Sequence, residues 1–301
     1  MSYHPGMTAA SGVYATVTLA SLALAIGRPA PALAQPVPAA VELSSSELRA
    51  FRAADGTLYQ IYVAFPFGYL PDSGARYPVL YLTDASLYFA LVAAIMRNRE
   101  MEDGLPPMIL VGVDRPADSV LEDLTLRVLD LSPTRDTSRE ELLSQQYGED
   151  VRSGGGDVFL SVLTDEIVPW VEERYPVSGD RGLAGHSLGG LFATHVLFSS
   201  PGSFTHYLIL SPALSWDNEM IFARERAYAD AHEDLPARLF LSAGGEEEPE
   251  LVPNMVRLVE IVEDRQYPGL ELAHRVFDDE THMSVIPVGI SHGLTFLFGS
   301  Q

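Results

Sequence analysis

Residues Gly185-His186-Ser187-Leu188-Gly189 set one hydroxyl between two glycines, where an apolar extended run gives way to a helix-forming one. This suits a serine nucleophile on a sharp strand-to-helix turn, because such a turn is strained and tolerates only small neighbours. Gly185 and Gly189 leave that room. The following helix would aim its free N–H groups and positive dipole end at negative charge developing beside Ser187.

A serine hydroxyl needs a base to take its proton, and the base needs a group to orient it. In a site of this kind the acid and then the histidine follow the serine along the chain. Of the eight histidines, His4 lies near the N-terminus, His186 sits inside the turn, and His195 and His206 precede the region of the acid. His232 falls in a charged helix, His274 in mid-strand and His292 in the last helix. His282, in Asp278-Asp279-Glu280-Thr281-His282-Met283-Ser284, follows the last predicted strand and is the expected base. The acid is expected in Ala243-Gly244-Gly245-Glu246-Glu247-Glu248-Pro249-Glu250. Glu248 is chosen because Pro249 could start the next helix and hold its predecessor at the strand's edge. Glu246, Glu247 and Glu250 stay open, as do Asp278, Asp279 and a Ser–His pair without an acid.

Backbone N–H groups must receive the developing oxyanion. Leu188 supplies one, and the amide of Ala85, after the predicted strand ending at Thr83, is the candidate for the second. Asp84 is expected to shape that turn through side-chain-to-backbone bonds.

The elements that position these residues alternate. Within residues 41–65 two extended segments flank Asp55-Gly56, the second being Leu58–Val63. Tyr77–Thr83 and Met108–Val113 read as strands buried on both faces, separated by a helix through Leu87–Arg97. Residues 114–155 read as a long irregular connection, of the kind that shapes a substrate site. A helix over Val158–Glu173 leads to the serine turn. Strands at Tyr207–Leu210, Arg238–Ser242 and Leu272–Phe277 then alternate with helices at 217–235, Val252–Val262 and Val285–Phe298. The expected architecture is α/β: a mainly parallel sheet with antiparallel N-terminal strands and helices on both faces.

The 301 residues are 47% hydrophobic and 20% charged, enough for one well-buried domain over 45–301. With 41 acidic against 19 basic side chains the net charge is -22, which argues against nucleic acid as a partner. No cysteine is present, so disulfides, thiolate metal sites and a cysteine nucleophile are excluded. Gly12–Ile26 is apolar or small, and Ala32-Leu33-Ala34 precedes Gln35. This predicts a signal peptide over 1–34 cleaved after Ala34, a linker over 35–44, and a periplasmic or secreted mature chain with no membrane span. The leader before the apolar run lacks Lys and Arg, which leaves a retained anchor as the alternative.

The chain resembles the Putative esterase family of α/β-hydrolases, which includes esterase D and the enterochelin (ferric-siderophore) esterases, over roughly residues 45–300. The resemblance rests on Val79–Asp84, Val111-Gly112-Val113, Arg127 with Asp130-Leu131-Ser132-Pro133, and Asp157–Leu160 through Ile167–Trp170. It continues in Gly182–Ala193, Ser211–Trp216 and Glu280-Thr281-His282. It implies an α/β-hydrolase fold and hydrolysis of a small or medium carboxylic ester through an acyl-enzyme, without metal or cofactor. The siderophore esters are one substrate class, beside simple acyl esters and feruloyl or acetyl groups on polysaccharide. An acyltransferase on the same fold and a non-catalytic binding protein are the alternatives. Arg127 matches a family position that holds anionic substrate, with a structural salt bridge as its other reading; His186 and Trp216 are further candidate substrate contacts. The family usually has Asp-Gly where this chain has Asp84-Ala85.

Overall fold

The computed structural model describes residues 42–102 and 104–299. The expected leader over 1–34 and most of the linker lie outside the described residues. Among the described residues, no helix is long and apolar enough to cross a membrane.

Among the described residues, eight strands form one sheet in the order β1-β2-β4-β3-β5-β6-β7-β8. Strands β1 (Ser46–Arg52) and β2 (Leu58–Ala64) pair antiparallel around the Asp55-Gly56 turn, and β2 pairs antiparallel with β4 (Ile109–Asp114). Every later pairing is parallel: β4 with β3 (Tyr77–Leu82), then β5 (Val177–His186), β6 (His206–Leu210), β7 (Ala237–Gly244) and β8 (Leu270–Phe277). The central strands are apolar almost without alternation because helices cover both faces; Val79, Leu80 and Tyr81 are fully buried. This is the expected α/β-hydrolase arrangement.

Helices α1 (Ala85–Met101) and α9 (Val285–Phe298) cover one face, burying Phe89, Val92, Ile290 and Leu294 against Leu80, Leu110 and Leu208. The opposite face carries α6 (Leu188–Ser199), α7 (Trp216–Ala231) and α8 (Leu251–Arg265), with Phe192, Val196, Leu258 and Val262 in its core.

The connection over 114–155 departs from the expectation of irregular structure, since it holds α2 (Val120–Leu131) and α3 (Thr137–Tyr147). Its caps were present in the sequence. Ser119 accepts from the Glu122 amide at 3.1 Å, while Glu122 reaches back to the Asp118 amide, a close variant of the capping box. Asp136 caps α3 through the Arg139 amide at 3.0 Å, and Gly148 closes it at φ 74°. Helix α2 also carries an apolar pattern in Val120, Leu121, Leu124, Leu126, Val128, Leu129 and Leu131, whereas α3 is mostly polar and is marked by its caps alone.

The predicted helix over 158–173 contains α4 (Gly156–Ser161), a π-helical turn (Val162–Ile167) and α5 (Val168–Arg174). Pro169 has no N–H for the preceding turn and its ring crowds that turn, and the wider winding relieves both. In α7 the backbone of Asp217, Asn218 and Glu219 is left-handed, at φ 45°, 53° and 60°, so the regular helix starts later than predicted.

Candidate active site

Parallel strands deliver their following loops to the same end of the sheet, which gathers residues distant in sequence. Ser187 follows β5, Ser211 follows β6, Glu247 lies just beyond β7, and His282 lies beyond β8.

Ser187 is held at φ 60° and ψ -115°, a conformation that costs a non-glycine residue about 1–3 kcal/mol. The surroundings fix it: its amide donates to Leu210 O at 3.0 Å, and its carbonyl accepts from Leu191 and Ala213. The flanking glycines are sterically required. A Cβ on Gly185 would stand 2.1 Å from Gly189 O, and one on Gly189 would stand 2.4 Å from Thr83 Oγ1.

Ser187 and His282 line one cavity of about 270 Å³. Arg127 and Val128 of α2 and Arg139, Leu143 and Tyr147 of α3 supply one wall, so the 114–155 segment does shape the site. Leu188, Ala213, Ser215, Trp216, Glu248, Glu250 and Leu251 complete it.

The partner of His282 is Glu247, not the expected Glu248. Glu247 Oε2 lies 2.9 Å from His282 Nδ1, with the Glu247 side chain fully buried. Its Oε1 accepts from Ser211 Oγ and from the Gly244 amide. Burial alone would push this carboxyl up, but the hydrogen bonds from His282, Ser211 and Gly244 outweigh it and hold it below the usual range. Glu248 is exposed on the cavity wall, and its backbone carbonyl accepts from the Leu251 amide. Pro249 lies before α8, whose first residue is Leu251, so it does not open the helix and does not select Glu248 as the acid. Glu250 is also exposed on the wall, and Glu246 is turned to solvent with its amide on Glu280 O at 2.9 Å.

Ligand atoms of Glu247, Glu248 and His282 lie within 4.8 Å of one another, the spacing of a three-ligand cation site. Two of the three are already engaged with each other, so a cation there would have to break the Glu247–His282 bond.

Leu188 opens α6 and lines the cavity, so its amide belongs to the unpaired first turn beside Ser187. Ala85 opens α1 and is buried, its methyl packed where a Cβ on Gly112 would come within 2.7 Å. Asp84 does not shape the turn by capping α1. It stands in the left-handed region at φ 55°, and its Oδ1 accepts from Arg127 Nε at 2.7 Å. Burial pushes the Asp84 carboxyl up, with Arg127 opposing.

Arg127 lies on the cavity wall and in a buried ion pair, and also donates to His186 O at 3.3 Å. Trp216 lines the cavity with its indole N–H on Thr134 O at 2.9 Å. His186 is corrected: it is buried behind the elbow, outside the cavity lining, with Nε2 2.8 Å from His282 O. Ser211, Arg139 and Tyr147 escaped the sequence reading. Ser211 stands in the Ser211–Trp216 stretch that carries the resemblance but was given no role, and the other two sit on α3, where irregular structure was expected.

A family model described as Esterase: Putative esterase matches residues 54–268. The ferri-bacillibactin esterase BesA of Bacillus subtilis (strain 168) is 27% identical over 248 residues, covering 79% of this chain and 84% of that protein. A siderophore enterobactin esterase of Emericella nidulans is 30% identical over 279 residues, covering 79% and 89%. Among solved structures, the BES protein from Bacillus cereus superposes with a TM-score of 0.75 at 27% identity, covering 88% of this chain and 100% of that one.

Proposed function

This chain belongs to the Putative esterase family and is a serine esterase of the α/β-hydrolase fold, and on that premise we propose that it hydrolyses a siderophore ester through Ser187, His282 and Glu247. The observation that carries the residue roles is the 2.9 Å bond between Glu247 and His282 at a cavity that also holds Ser187. The substrate class is supported by relatives named for bacillibactin and enterobactin, and by the two arginines on the α2–α3 wall.

In this reading Ser187 Oγ attacks the ester carbonyl carbon while its proton passes to His282 Nε2. Glu247 accepts the Nδ1–H of His282, keeps Nε2 free to take a proton, and stabilises the imidazolium. The oxyanion is received by the Leu188 amide and a second amide from the turn after β3, with Ala85 the candidate. Collapse of the tetrahedral adduct breaks the carbon–oxygen bond of the ester, and the departing alcohol takes the proton from His282. Water then attacks acyl-Ser187 by the same route, releasing the acid and restoring the serine. Export belongs to the proposal, supported by the apolar run and the Ala32-Leu33-Ala34 site.

The test combines a p-nitrophenyl acyl ester series with iron-loaded enterobactin. The expected result is a burst of nitrophenol, cleavage of the ferric lactone, and loss of about 10⁴–10⁶ in kcat for Ser187→Ala with folding intact. Turnover of simple esters with an untouched ferric lactone would overturn the substrate class alone. Near-normal turnover by Ser187→Ala would overturn the mechanism.

A further inference from the structure

We propose that His186 and Tyr88 form a buried latch that positions the loop carrying His282, making His186 a positioning residue for proton transfer. The inference rests on the reading of His282 as the base.

His186 is the residue between Gly185 and the nucleophile, and only 3% of it is exposed. Its Nε2 lies 2.8 Å from the backbone carbonyl oxygen of His282, and its Nδ1 lies 3.3 Å from Tyr88 Oη. A carbonyl oxygen can only accept, so Nε2 carries the proton. In a neutral ring Nδ1 is then bare and accepts from the Tyr88 hydroxyl. Tyr88 is itself buried on α1, with its ring edge-on to His186 at 85°. The two contacts thus specify one tautomer.

The environment keeps the ring neutral. The ionisable groups packed around it are Tyr88 of α1, Arg127 of α2, His282 and Glu247, with Asp84 behind Arg127. Burial, then the neighbouring His282 and Arg127, bring the His186 pKa down to about 3. This matters because the rings of His186 and His282 lie 4.4 Å apart between centroids. A charged His186 would oppose the imidazolium that His282 must become, and a neutral one does not.

The latch also solves a positioning problem. His186 is peptide-bonded to Ser187 and hydrogen-bonded to the backbone of His282, 96 residues away. The spacing of nucleophile and base is therefore set through one intervening residue at the end of β5. The segment just beyond β7 ties the same region through the Gly245 amide on Phe277 O at the end of β8 and the Glu246 amide on Glu280 O in the loop, whereas the His186 bond links the loop directly to the strand leading into Ser187.

The experiment uses the full chain with His186→Leu, His186→Gln, Tyr88→Phe and His282→Ala, reading single-turnover acylation and KM on a p-nitrophenyl ester. His186→Leu should slow acylation about 100-fold with KM within about twofold, the cost of a displacement near 1 Å at the reacting centre. His186→Gln, which retains an N–H able to reach the carbonyl, should recover most of the rate, and Tyr88→Phe should lose only a few-fold. Nitrogen NMR of the unmodified protein should show a protonated Nε2 and a bare Nδ1 at His186, a readout independent of whether any variant folds. The opposite tautomer, or wild-type acylation in His186→Leu while His282→Ala is inactive, would overturn the latch alone. Retained turnover in His282→Ala would overturn the base assignment and the latch with it.

Discussion

Glu247 Oε2 stands 2.9 Å from His282 Nδ1, whereas Glu248, its immediate neighbour, turns its carboxylate to the cavity wall. The choice is made by the end of β7. A Cβ on Gly244 would lie 2.2 Å from Glu280 O, so the strand end presses directly on the loop carrying His282. From that point the chain curls back far enough for the Gly244 amide and Ser211 hydroxyl to hold Glu247 Oε1.

Replacing these carboxylates separates them. Glu247→Gln keeps the shape but loses the charge that stabilises the imidazolium, and kcat should fall about 10³–10⁴-fold. Glu248→Gln should stay within about threefold, because that side chain contacts neither His282 Nδ1 nor Ser211. Steady-state kinetics on one ester decides the matter, and equal mild effects from both would disprove the role of Glu247.

Arg127 should matter more for folding than for substrate affinity. Its guanidinium pairs with a carboxylate whose side chain is only 3% exposed, and removing one partner of a buried pair costs about 3–5 kcal/mol. Arg127→Met should lose that much in urea unfolding, and Arg127→Met combined with Asp84→Asn should recover a large part. Unchanged stability with only a raised KM would make Arg127 a ligand contact instead.

The pH dependence of stability carries the signature of His186. Its pKa is about 3 in the folded protein against 6.5 ordinarily, so the unfolded chain binds the extra proton between those values. The stabilisation is complete above pH 6.5 and drains away as pH falls, at about 1.4 kcal/mol per unit. Asp130, pushed up to about 6 by burial, acts with the opposite sign, so only the difference between proteins isolates the histidine. The stability gap between wild type and His186→Gln should shift by about 2 kcal/mol between neutral pH and about pH 5, against His186. Urea midpoints across that range measure it, and a constant gap would count against the neutral, buried ring.

Much of the frame was legible in the chain. Buried parallel strands are continuous apolar runs, so β3, β4 and β6 announced themselves, and the glycines around Ser187 encode the elbow through steric need alone. Helix α3 was harder, because it buries little and is specified by its Asp136 cap more than by an apolar stripe, whereas α2 carries Leu and Val at seven of its twelve positions besides the Ser119 cap. Trp216 and Arg127 could be named but not fully explained, since the partners that engage them, Thr134 and Asp84, come from other elements.

What the sequence determined by itself was the fold and the class of chemistry: alternating elements that bring loops to one end of a sheet, and a serine in the strand-to-helix turn as the candidate nucleophile. Local residue type and spacing suffice for that, because strand, turn and helix are short-range choices. Only the tertiary structure decided which of four adjacent acids meets the imidazole, and that His186 faces inward instead of toward a ligand. Those outcomes turn on a few ångströms of backbone path between strands distant in the chain, set by packing at the ends of β5, β7 and β8.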